Sequence, residues 1–78
     1  MSLVDWLIAR VAAETGVESV DADTPVYRYG VDSRMLALII DAAERAHGLE
    51  ADLDRISADA TIAALADALA PVPVRTGD

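Results

Sequence analysis

Asp32, Ser33 and His47 are the residue types of a nucleophilic triad, in which a carboxylate orients an imidazole that activates a hydroxyl. Their spacing argues against one. A helical pattern runs from Ser33 to His47, and at about 1.5 Å per residue it would hold the two roughly 21 Å apart, far beyond hydrogen-bond reach. His47 is the single histidine, and beside Gly48 it reads as a helix-terminal residue favoured near the carbonyl end of the dipole. Asp21-x-Asp23 and Asp52-x-Asp54 open like calcium loops. Pro25 stands where the first needs its third ligand, and Ser57 and Ala63 stand where the second needs glycine and glutamate. The chain has no cysteine, so it offers neither a thiolate site nor a disulfide. No catalytic residue and no metal ligand is assigned.

Asp32-Ser33 remains. Its ordinary reading is an aspartate N-cap followed by the first residue of a helix. The serine would then lie at the end of a long loop, beside free backbone amides and the positive pole of the helix. That setting suits a phosphate group, including one attached through the serine oxygen.

The elements that must position this pair follow from periodicity. Leu3, Val4, Leu7, Ile8 and Val11 mark one face of a first helix over about residues 2 to 15. Ser2 and Asp5 form its capping start, and Gly16 stops it in the left-handed conformation. From Gly16 to Val31 nothing has a helical period, and Val17, Val20, Val26, Tyr27 and Tyr29 suggest a long loop pinned onto the core. Leu36, Ile39, Ile40 and Ala43 define a second helix over about 33 to 47, closed by His47-Gly48. Leu53 and Ile56 could make one short helical turn. Thr61 caps a last helix with the stripe Ile62, Leu65, Leu69, ended by Pro71. The expected architecture is all-α: a small four-helix bundle of three longer helices and one short one, with a long loop between helices 1 and 2. Residues 1–70 form the domain and 71–78 a C-terminal tail.

Charge narrows the partners. Six basic residues, all arginine, stand against fourteen acids, a formal charge of −8. A phosphate backbone would be repelled, which excludes nucleic acid. The apolar run Met35 to Ile40 is far too short to span a membrane, and no basic leader precedes the first helix, so a cytoplasmic monomer is expected.

Tyr29-Gly30-Val31-Asp32-Ser33, with Leu36, Ile39 and Ile40 following and Gly48 closing the helix, resembles the attachment motif of acyl and peptidyl carrier proteins. The resemblance covers residues 3 to 70. Asp23-Thr24-Pro25-Val26 is similar to the family's loop, and Ala60-Thr61-Ile62-Ala63-Ala64-Leu65 to its last helix, where proline more commonly precedes the threonine. The resemblance implies a 4'-phosphopantetheine arm, moved from coenzyme A onto Ser33 by a phosphopantetheinyl transferase. Its thiol would hold acyl or aminoacyl groups as thioesters in nonribosomal peptide or polyketide biosynthesis. Asp32 would match the aspartate that positions magnesium-bound coenzyme A. The partners implied are the transferase, an acyl- or aminoacyl-activating enzyme, and downstream synthase or tailoring enzymes, with the chain itself a carrier and not an enzyme.

Arg34 departs from the pattern, because the family usually has leucine immediately after the serine. It either projects into solvent as an ordinary helix residue or presents its charge to the arm's phosphodiester or to an acidic partner surface. Arg34, Leu38, Asp41 and Arg45 share a face of the second helix, and Met35 and Leu38 are the apolar residues expected to be exposed near Ser33. Arg34, Met35 and Leu38 are therefore the candidate partner contacts. The helix resembles the apolar type of nonribosomal peptide carriers more than the acidic type of fatty-acid synthesis, and Tyr-Gly-x-Asp-Ser with His47-Gly48 is also similar to aryl carrier domains. The alternative is a helical interaction module without a prosthetic group, binding a partner through Met35 and Leu38.

Overall fold

A computed structural model describes residues 2–71. Helix α1 spans Leu3–Thr15, with the Ser2 hydroxyl accepting the Asp5 N–H at 3.1 Å and Gly16 closing it at φ 76°. Helix α2 spans Ser33–His47 and ends on Gly48 at φ 64°. Both match the expected bounds, because caps and glycine stops are local chemistry. The third helix, α3, is Ile62–Ala68, capped by Thr61 Oγ1, which accepts the Ala64 N–H at 3.1 Å.

The protein is mostly helical, as an all-α fold requires, but the expected four-helix bundle is met only in part. The Leu53/Ile56 turn is a 3-10 turn over Leu53–Arg55, and α3 has only seven residues. Leu69 leaves the helix at φ −101°, ψ 121°, two residues ahead of Pro71, which could not continue it. Strand β1, Leu49–Ala51, then pairs antiparallel with β2, Leu69–Pro71. Pro71, placed in the tail by the sequence, closes β2 opposite Leu49; residues 72–78 of that tail lie outside the described residues. The Glu44 carboxylate ties β1 back to α2 by accepting the Ala51 N–H at 3.0 Å.

The core draws on every segment: Leu7 and Val11 from α1, Val26 and Val31 from the loop, Ile39, Ile40 and Ala43 from α2, Ile62 and Leu65 from α3. The long loop is fastened as expected. Val26 N–H donates to the Ala60 carbonyl at 2.9 Å, Ala63 N–H to the Ala22 carbonyl at 3.1 Å, and Pro25 bridges Thr61. Val26 is 1% exposed and sits in a 3-10 turn, Val26–Tyr29. The Tyr29 hydroxyl braces the loop by accepting the Asp21 N–H at 2.8 Å. Tyr27 is the exception: expected to help pin the loop, it is 51% exposed.

Two predictions follow from this packing. Leu65→Ala, at a fully buried site, should cost about 2–5 kcal/mol, comparable to the roughly 3–5 kcal/mol available to a core of this size. Leu38→Ala should stay within about 0.5 kcal/mol; urea unfolding followed by circular dichroism compares them. In the turn before α3, the Ser57 hydroxyl donates to Asp59, and this bond, then the Asp59 backbone N–H, holds that carboxyl below its ordinary range. A folded-state value below the unfolded one means the associated stability is present above the unfolded pKa and is lost as pH falls through the lower folded value. Ser57→Ala should return the Asp59 titration toward the ordinary carboxylate range, read by carboxyl NMR.

Candidate functional site

The approach to Ser33 is fixed from both sides. Gly30 ends the preceding 3-10 turn at φ 93°, donating its N–H to the Tyr27 carbonyl at 3.0 Å. Only glycine takes that backbone without strain, and a Cβ there would meet nothing within 4 Å, so conformation rather than space requires it. Val31 then enters the core at 5% exposure. Asp32 turns extended, and its Oδ1 accepts the Met35 N–H at 2.8 Å while its carbonyl accepts the Leu36 N–H at 2.8 Å. With a buried residue two positions before it and Ile39 and Ile40 anchoring the helix after it, Ser33 begins α2 at a fixed place with an exposed side chain.

Among the described residues no hydrogen bond engages the Ser33 hydroxyl, and the amides of Ser33 and Arg34 have no acceptor. Those amides point along the positive end of a fifteen-residue helix, which lowers the energy of a negative group attached at the hydroxyl. An open groove of about 420 Å³ starts at Ser33. Leu36, Ala37 and Ile40 of α2 form one wall, and Leu53, Ile56 and Ser57 the other. A phosphodiester fits the amides, and a flexible, largely uncharged arm fits the open, mostly apolar groove. A second cavity of about 510 Å³, between Glu50–Arg55 and Asp67–Pro71, does not reach Ser33; Leu53 alone lines both.

Ser33 and His47 are the first and last residues of α2, so the structure separates the triad types as their spacing requires. His47 instead meets Trp6 of α1 edge to face, with ring centroids 5.3 Å apart and an interplanar angle of 88°. Arg34 is exposed, and Leu38 is 61% exposed. Met35 is corrected: it is half-buried and packs against the core, so its share in any outer surface is small. Leu53, 69% exposed on its 3-10 turn, and Tyr27 are the exposed apolar residues the sequence reading missed. A lone leucine between Asp52 and Asp54 and a tyrosine in an aperiodic loop carry no signal of which way they face.

No curated protein and no solved structure matches the chain. A family model described as the phosphopantetheine attachment site matches residues 5–69, which takes in most of α1, the pinned loop, Ser33, α2 and α3. The chain therefore belongs to the phosphopantetheine-attachment carrier family, whose domains bind 4'-phosphopantetheine covalently.

Proposed function

We propose that Ser33 is the residue that bears the arm and that the chain presents acyl or aminoacyl groups to separate enzymes. The supporting observation is the free, exposed hydroxyl of Ser33 at the start of α2, at the open end of a groove and inside the matched residues. Attachment by a phosphopantetheinyl transferase forms a bond between the Ser33 oxygen and phosphorus as the pyrophosphate of coenzyme A breaks. The hydroxyl proton passes to the transferase or water, and the nucleotide portion leaves. When bound, the group supplies a thiol that holds acyl groups as thioesters.

Asp32 has two duties in this reading. Its carboxylate caps α2, which fixes the serine, and its exposed negative charge helps seat magnesium-bound coenzyme A at the transferase. Arg34 and Leu38 form the partner face with a minor share from Met35, in a carrier of peptide or polyketide assembly. Exposed Leu38 on α2, with no free acid beside it, supports that class over one serving basic enzymes. An activating enzyme and downstream synthase or tailoring enzymes complete the set of partners. No helix of the described residues is long and apolar enough to cross a membrane, in keeping with work in the cytoplasm.

Intact-mass spectrometry after incubation with coenzyme A and a broad-specificity transferase tests the site. Wild type should gain one phosphopantetheine and Ser33→Ala none, with the circular dichroism of the two alike. No gain on wild type, under conditions that load a control carrier, would leave the interaction-module reading in its place. Asp32 separates its duties by substitution: Asp32→Asn should keep the cap and the fold yet load more slowly, whereas Asp32→Ala should also lose about 1 kcal/mol of stability.

A further inference from the structure

The chain is strongly acidic, yet two exposed arginines close to Ser33 in sequence have side chains with no partner among the described residues. Three acids lie between Val26 and His47: Asp41 is neutralised by Arg45 at 3.2 Å, while Asp32, which caps α2, and Glu44, which holds the Ala51 N–H, keep their charge. The Asp41–Arg45 pair is exposed and adds little stability, but its two charges cancel within one turn of helix.

The arginines sort in the same way. Arg10 Nε lies 3.1 Å from Glu14, an ion pair by distance without hydrogen-bond geometry, Arg45 pairs with Asp41, and Arg55 Nη1 donates to the Asp67 carbonyl at 3.1 Å. Among the described residues, that leaves Arg28 and Arg34 without an ionic or hydrogen-bond partner for their side chains. Arg28 stands five positions before Ser33, next to exposed Tyr27 in the 3-10 turn, and Arg34 one position after it, on the helix of exposed Leu38; both arginines are exposed.

We infer that the face around Ser33 docks a protein surface bearing carboxylates around an apolar contact, with Arg28 and Arg34 meeting the acids and Tyr27 and Leu38 the apolar part. The inference rests on Ser33 as the attachment residue and adds the sign of the partner, which is opposite to what a net charge of −8 would select. Complementary charge of this kind steers encounter and excludes wrong partners more than it adds affinity. One phosphodiester already has the Ser33 and Arg34 amides available, so it does not by itself require two arginines. The acids of the loop, Glu18, Asp21 and Asp23, and those from β1 to the 3-10 turn, Glu50, Asp52 and Asp54, would weigh against an acidic partner where they stand.

The probe is a hexapeptide of sequence Glu-Leu-Glu-Glu-Leu-Glu, with its lysine-for-glutamate counterpart as control, titrated into the ¹⁵N-labelled full chain at low salt. The glutamate peptide should move the amide resonances of residues 27–38. Arg28→Ala combined with Arg34→Ala should weaken its binding roughly threefold to tenfold, Arg45→Ala should not, and raising the salt to about 1 M, where screening acts over about 3 Å, should weaken it by a similar factor. The inference is overturned if the glutamate peptide leaves 27–38 unmoved, if Arg45→Ala matters as much, or if the lysine peptide takes that face. Loss of peptide binding once the arm is attached would assign the arginines to the phosphodiester and overturn it equally. Failure to attach the arm at all, seen by mass, would sink the carrier reading instead and is scored separately from the titration.

Discussion

The seam between the Val26 N–H and the Ala60 carbonyl, with Val26 buried beneath it, is the constraint on which the structure depends. A loop from Gly16 to Asp32 would have wide conformational freedom if it were held only at its ends. Bound at its middle to the start of α3, it acts as two short segments, each with far fewer arrangements to lose. The second of these segments delivers Ser33. Buried Val26 and Val31 bracket a single 3-10 turn and one left-handed glycine, so the modified corner inherits its position from the core rather than from contacts of its own.

That division explains how an exposed serine can be both accessible and well placed. Its own side chain contributes no packing, and its surroundings are determined by residues that do. The same logic leaves the outer surface of α2 open to carry information for partners, since its acids are occupied and its apolar anchors, Ile39, Ile40 and Ala43, face inward. Net charge is then a poor guide to recognition. The acids that set the total are spread over helices, loop and turns, whereas Arg28 and Arg34, whose side chains have no partner among the described residues, flank the residue where the arm begins.

Much of this was legible in the sequence where the signal is local. Ser2, Asp32 and Thr61 cap helices as their types predict, Gly16 and Gly48 stop them, and the apolar stripes of α1 and α2 turn inward. Features set by tertiary packing were not legible. Strands of three residues are too short to show alternation, so the β1–β2 ladder left no trace, and it shortened α3 by drawing Leu69 out of the helix. Met35 and Tyr27 exchanged expected roles for the same reason. A half-turn of helix decides whether a methionine reaches the core, and a 3-10 turn, not a hydropathy pattern, decides where a tyrosine points.

The brevity of α3 has a consequence for motion. Seven residues are far below the length at which an isolated helix persists in water, so its helicity exists only while it is docked. Its cap residue bridges Pro25, its first turn bonds Ala22, and the residue after it enters β2. Helix, loop and ladder therefore share one opening equilibrium, and their amides should exchange with solvent as a single cooperative unit, apart from the fraying ends of α1. Each such opening would also loosen the 3-10 wall of the groove, because Asp52 N–H and Arg55 Nη1 donate to the Ala68 and Asp67 carbonyls at the end of α3.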